Sequence, residues 1–82
     1  MIQVRVHFFS TIRARVGKKT IQVELPAGAR VEDLKREIAR LYPEAAAAIA
    51  SMLTSVNQVF SEDSTEIPDQ AEVAFFPHVS GG

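Results

Sequence analysis

The sequence predicts a mixed α+β fold in which a sheet holds one main helix. Three observations carry that expectation. Two segments that alternate apolar and polar residues open the chain, at 2–9 and 20–25, and a short apolar strand closes it at 73–77. Between them, residues 31–42 repeat their apolar positions at helical spacing. Eighty-two residues make one domain with a thin core, so sheet and helix must share it.

The elements follow in order. Ile2, Val4, Val6 and Phe8 share one face of a first strand; Gln3, Arg5, His7 and Phe9 share the other. Residues 10–16 form a short helical turn with Ile12 and Val16 on one side, and Gly17 stops it. Ile21, Val23 and Leu25 line one face of a second strand, antiparallel to the first. Pro26-Ala27-Gly28 breaks the chain. Val31, Leu34, Ile38, Leu41 and Tyr42 then form the apolar side of a helix of about three turns. Glu32, Lys35, Arg36 and Arg40 fall mostly elsewhere on it. Glu32 and Asp33 sit in its first turn, where the helix dipole favours negative charge. Pro43 limits it, because the residue before a proline resists the α conformation.

A second, shorter helix is expected over 44–52, anchored by Ile49, Met52 and Leu53. Val56 to Phe60 reads as a short strand with a tight bend at Asn57. Residues 61–64 and 67–70 are turns, and Val73 to Pro77 is the last strand. The order is strand, strand, helix, short helix, strand, strand. That is the β-grasp pattern: a mixed sheet packed on one main helix plus a short second helix.

Composition excludes several function classes. Nine basic against ten acidic residues leave a net charge of −1, without the basic excess of a nucleic-acid binder. There is no cysteine, hence no disulfide framework. No apolar run reaches membrane-spanning length, and the N-terminus lacks a signal-peptide pattern. The expectation is a cytoplasmic protein with no nucleic-acid and no membrane partner. His7 and His78 have no companions at metal-ligand spacing, so no metal site and two solvent-facing imidazoles are expected. No GxSxG is present, and Gly17-Lys18-Lys19-Thr20 lacks the spacing of a phosphate-binding loop.

Strand parity singles out the phenylalanines. With Phe8 and Phe75 in the core, Phe9 and Phe76 point the other way. A β-grasp sheet sets its first and last strands side by side, so the two rings meet on the open face, where Phe60 can join them. A contiguous aromatic patch of this kind marks a partner surface.

The sharpest signal is Pro77-His78-Val79-Ser80-Gly81-Gly82. Pro77 ends the last strand because it cannot donate to the ladder. The organisation expected is a domain over 1–77 and a flexible tail over 78–82. Five residues beyond Pro77 reach roughly 17 Å when extended, enough to enter a partner's pocket. Gly81 and Gly82 carry no side chain, so they pass a narrow slot and deliver the α-carboxylate of Gly82.

The segment from Glu72 to Gly82 resembles the end of the MoaD family, the small sulfur-carrying subunits of molybdopterin synthase. The resemblance covers essentially the whole chain. Val6 to Ser10 is similar to that family's first strand, Leu25 to Leu34 to its turn into the main helix, and Val56-Asn57-Gln58 to its usual Val-Asn-Gln. Three positions depart from the family pattern. His78 replaces a second proline, Asp69-Gln70-Ala71 lacks the usual glycine, and Arg30 stands where a capping Ser or Thr is common, so that helix start is expected to be weaker than usual.

The resemblance implies a ubiquitin-like β-grasp fold and a carrier that is not an enzyme on its own. It implies that Gly82 is adenylated by a MoeB-like enzyme using ATP and magnesium. A sulfur donor such as a cysteine desulfurase then converts it to a thiocarboxylate. It further implies that the tail inserts into a MoaE-like large subunit, in a heterotetramer, and gives sulfur to cyclic pyranopterin monophosphate. The pterin-handling residues belong to that subunit, and no cofactor is bound by this chain. Gly81 and Gly82 are the reactive end. Phe9, Phe60, Phe76, Pro77, Val79 and Ser80 are the partner-binding set. Three alternatives stand beside this one: a ThiS-like carrier for thiazole synthesis, against which Phe75-Phe76-Pro77 argues; a ubiquitin-like modifier joined to targets through Gly82; and a plain binding domain with an inert tail.

Overall fold

The computed structural model describes residues 1–78. Five strands, β1 (Ile2–Phe8), β2 (Thr20–Leu25), β3 (Leu53–Val56), β4 (Val59–Ser61) and β5 (Ala71–Phe76), form one mixed sheet in the order β2-β1-β5-β3-β4. β1 runs antiparallel to β2 and parallel to β5, while β3 is antiparallel to both β5 and β4. The helices are α1 (Ser10–Val16), α2 (Val31–Leu41) and α3 (Ala46–Ala50), the last preceded by a 3₁₀ turn over Pro43–Ala45. β2 and β3 therefore point the same way on opposite flanks of the central pair, and α2 supplies the long crossover that such a connection needs. This is the ubiquitin-like β-grasp fold.

The core lies on one sheet face. Val4, Val6 and Phe8 of β1, Val23 and Leu25 of β2, and Val73 and Phe75 of β5 are buried against Val31, Leu34 and Ile38 of α2. Burial of each such side chain contributes roughly 1.5–3 kcal/mol relative to exposure. α1 buries Ile12 and Val16 and ends at Gly17, whose φ of 80° lets its N–H reach the Arg13 carbonyl at 2.8 Å.

Several expectations need correction. The single strand expected at 56–60 is a hairpin, with β3 and β4 joined by Asn57 and Gln58, both at positive φ (49° and 69°). Two consecutive left-handed residues make the tight reversal that matches strand twist. Without a glycine there, the sequence shows only a bend. Asn57 also latches the hairpin to β5: its N–H donates to the Glu72 carbonyl, and its Oδ1 accepts from the Glu72 N–H. Leu41 and Leu53 are exposed rather than core anchors. Lys35 is buried, on the core side of α2, because its stem packs inward while its ammonium donates to the Met52 carbonyl (3.1 Å) and pairs with Asp63 (2.9 Å).

Nor is the start of α2 weak. Arg30 offers no capping acceptor, but the 62–66 loop does: Val31 N–H donates to the Thr65 carbonyl and Glu32 N–H to the Asp63 carbonyl, each at 2.9 Å. The Arg30 N–H donates in turn to the Asp33 carboxylate at 2.8 Å. That bond, with Arg36 beside it, holds the Asp33 carboxyl below its ordinary value of 3.8.

The glycine-free turn before β5 forms with Gln70 at a φ of 63°. Asp69 ties it down, its Oδ1 accepting from the N–H groups of Gln3 (2.8 Å) and Gln70 (3.0 Å).

Two stability measurements follow. Left-handed backbone costs a non-glycine residue about 1–2 kcal/mol, and glycine's extra chain entropy returns roughly 0.5–1 kcal/mol of that. Gln70→Gly therefore raises unfolding stability by about 0.5–1 kcal/mol, read from urea midpoints at unchanged slope; a lower midpoint contradicts the strain. For Asp33, the depressed folded pKa means that its stabilisation is present above the ordinary carboxylate range and is lost as pH falls through the folded value. Asp33→Asn should lose less melting temperature than the wild type between pH 7 and pH 3, and equal losses contradict the bond.

Candidate functional site: the open face of the sheet

The face of the sheet away from α2 carries the residues of the other parity. The register places Phe8 opposite Phe75, so Phe9 and Phe76 follow side by side on the outer face. Their rings stack at 5.5 Å between centroids and 8° between planes. Phe60, brought over by the hairpin, meets Phe76 edge-on at 6.0 Å and 62°. Both are favourable aromatic geometries, contributing about 0.5–1.5 kcal/mol each beyond area burial. The trio expected from parity is therefore assembled. Phe76, at its centre, is only half-buried, and Phe60 is 70% exposed, a protruding ring rather than part of a flat patch.

Beside the trio runs a groove of about 590 Å³. Its floor is the small pair Ser55 and Ala74, which face each other across β3 and β5. Leu53 pairs with Phe76 and extends the apolar strip. Reading the hairpin as one strand hid these neighbours, since Leu53 and Ser55 could not be set in register with β5.

The far wall is polar. His7 is not simply solvent-facing: its Nε2 lies 3.0 Å from Glu72 Oε1, and its Nδ1 lies 3.3 Å from the Thr20 hydroxyl. The carboxylate can only accept, so Nε2–H donates to it and Nδ1 is left to accept from Thr20 when the ring is neutral. Among the described residues, no group of three or more histidine, cysteine or carboxylate side chains converges as a metal would require. No described helix is long and apolar enough to cross a membrane.

β5 ends at Phe76, and Pro77 and His78 follow outside any regular element, both exposed. The segment that follows thus leaves the sheet at the aromatic trio. Val79, Ser80, Gly81 and Gly82 lie outside the described residues, as does all but the first residue of the expected tail.

Comparison with known proteins agrees with this geometry. The chain is 34% identical over 84 residues to a molybdopterin synthase sulfur carrier subunit from Caenorhabditis briggsae, covering all of both chains. A structure from Pyrococcus furiosus, assigned as subunit 1 of a molybdopterin converting factor, superposes with a TM-score of 0.87 at 29% identity, covering 96% of this chain and 100% of that one. A complex of subunits 1 and 2 of molybdopterin-converting factor from Helicobacter pylori contains a chain of the same fold, with a TM-score of 0.69 at 18% identity, over 99% of this chain and all of that one. Residues 6–82 match the model of the ThiS family, and the chain belongs to that family.

Proposed function

We propose that this protein is the sulfur carrier subunit of a molybdopterin synthase. The observation that carries the reading is the aromatic trio at the point where β5 releases the segment leading to Gly81 and Gly82. A full-length relative named as such a subunit supports it, as does the occurrence of this fold in a two-subunit converting factor. Phe75-Phe76-Pro77 argues against the thiazole-synthesis carrier.

The chemistry begins with a poor electrophile. An α-carboxylate has a reference pKa of roughly 3.3–3.7, so at neutral pH it is ionised and resists nucleophiles. A MoeB-like partner enzyme, using ATP and magnesium, joins the Gly82 carboxylate to AMP and releases pyrophosphate. Hydrosulfide attacks the acyl carbon directly and expels AMP, leaving a thiocarboxylate; a persulfide donor gives an acyl disulfide on expelling AMP, and a second thiol then cleaves its S–S bond to release the thiocarboxylate and a disulfide. In the large-subunit partner the sulfur attacks a carbon of the pterin substrate and displaces an oxygen substituent from it; water then cleaves the acyl–sulfur bond, leaving the sulfur on the pterin and restoring the Gly82 carboxylate. Gly81 and Gly82 let the tail enter a narrow channel, Pro77, Val79 and Ser80 set its reach, and Phe9, Phe60 and Phe76 dock the domain outside. Magnesium and ATP belong to the partner's site, and the pterin-handling residues to the large subunit. The reactions belong to a reducing cytoplasm.

Intact-mass spectrometry after incubation with the adenylating enzyme, ATP, magnesium and a sulfide source tests the reading. One oxygen-to-sulfur gain in mass is expected, and none in a variant with alanine added after Gly82. Transfer of the whole protein onto lysines, seen as high-mass ladders, would favour the modifier alternative instead. For the dock, Phe76→Ala should fold normally and raise the dissociation constant for the large subunit about 30-fold, roughly 2 kcal/mol. Unchanged affinity removes the outer face from the interface.

A further inference from the structure

Beside the aromatic trio lies a cluster of cations that the fold does not use. Residues 1–30 carry Arg5, Arg13, Arg15, Lys18, Lys19 and Arg30 against a single acid, Glu24. Beyond residue 30 the balance reverses, with three cations against nine acids. A net charge of −1 thus conceals a strongly divided molecule. Four of the cations, Arg13, Arg15, Lys18 and Lys19, fall within seven residues on α1 and the turn after it, and all four are exposed. Among the described residues the ion pairs are His7–Glu72, Lys35–Asp63, Arg36–Asp33 and Arg40–Glu37; none involves these four.

Backbone hydrogen bonds fix this cluster against the dock. α1 begins directly after Phe9, and the Arg13 N–H donates to the Phe9 carbonyl at 3.4 Å. The Phe8 N–H donates to the Lys19 carbonyl at 2.7 Å, which brings the turn back to the end of β1. The backbone of this cationic segment accordingly lies next to Phe9, at one end of the trio. The acids Glu62, Asp63 and Glu66 lie in the chain after β4, beyond its Phe60 side.

We propose that Arg13, Arg15, Lys18 and Lys19 form a steering patch for an acidic protein surface, which meets them as its apolar pocket receives the Phe9–Phe60–Phe76 trio. The inference rests on the carrier reading and specifies the partner: the large subunit carries a cluster of Asp and Glu beside that pocket. Four exposed like charges within seven residues attract a surface of complementary charge. The aromatic neighbours and the excess of acids elsewhere favour a protein surface over a phosphate polymer. The patch lies at the rim, so its effect falls on encounter rather than residence, and it orients the domain so that the tail faces the channel. A carrier that must be released and reused benefits from fast arrival without a long-lived complex.

The test is stopped-flow association of the full chain with the large subunit between about 20 and 500 mM NaCl. The variant Arg13→Gln, Arg15→Gln, Lys18→Gln, Lys19→Gln should associate about tenfold more slowly at low salt, converge with the wild type at high salt, and dissociate within about threefold of it. Arg36→Gln with Arg40→Gln, on the helix side of the sheet, should leave the association rate within about twofold. Circular dichroism confirms that each variant is folded. A wild-type rate indifferent to salt overturns the patch while leaving the carrier reading intact. So does an equal fall in the Arg36/Arg40 variant, which would assign the effect to net charge. Tight binding of a labelled RNA oligonucleotide, lost in the fourfold variant, overturns it in favour of nucleic acid. Absence of any wild-type complex with the large subunit removes both the patch and the carrier reading.

Discussion

The parallel pairing of β1 with β5 is the constraint on which the rest of the molecule depends. It joins the beginning of the chain to its end, with Val4 opposite Ala71 and Phe8 opposite Phe75. A parallel pair cannot be closed by a short turn, so everything between the two strands serves as connection. The same register sorts both Phe-Phe pairs at once. Phe8 and Phe75 enter the core together, at 2% and 0% exposure, and Phe9 and Phe76 stack outside. A shift of one residue in either strand would exchange that strand's two roles, putting its core ring into water and its outer ring against α2. Stability and the candidate site are therefore two consequences of one alignment.

The division of labour between the faces explains where the fold tolerates irregularity. The face against α2 is closed by apolar packing and by the 62–66 loop, which both caps α2 and holds Lys35 through Asp63. Among the described residues the outer face has no such covering. It keeps small residues, Ser55 and Ala74, under a groove and large ones, Phe60 and Phe76, at its wall. Of the non-glycine residues in left-handed backbone, Asn57, Gln58 and Gln70 occur at the reversals that bring β3, β4 and β5 into place, while Ser10 opens α1. Hydrogen bonds from Asn57 and Asp69 to neighbouring strands offset the strain there.

Most of this architecture was legible in the sequence because period-two patterns are strong in β1 and β2 and a period-3.6 pattern in α2, while β5 reads as a short apolar strand ended by Pro77. Parity alone placed Phe9 and Phe76 together on the outer face. What the pattern did not show has physical causes. The hairpin at Asn57-Gln58 lacks the glycine that announces such a turn, so two strands read as one and Leu53 and Ser55 were not seen as part of the site. Lys35 reads as a surface cation because its residue type usually is one, and only the Met52 carbonyl and Asp63, distant in sequence, make its burial possible. The cap of α2 comes from a loop some thirty residues away, which no local motif at Arg30 reveals. His7 reads as a solvated side chain until β1 and β5 are set side by side and Glu72 becomes its neighbour. The proposed reactive end, Gly81 and Gly82, is legible only as chemistry and lies outside the described residues.

The central claim is that the outer sheet face receives the partner while the helical face remains free. Titration of ¹⁵N-labelled protein with the large subunit, followed residue by residue in amide spectra, tests it most directly. The account predicts shifted or broadened signals at Phe9, Leu53, Ser55, Phe60, Ala74 and Phe76, with α2 from Val31 to Leu41 unchanged. Perturbation confined to α2 and α3, with the outer face silent, would contradict it.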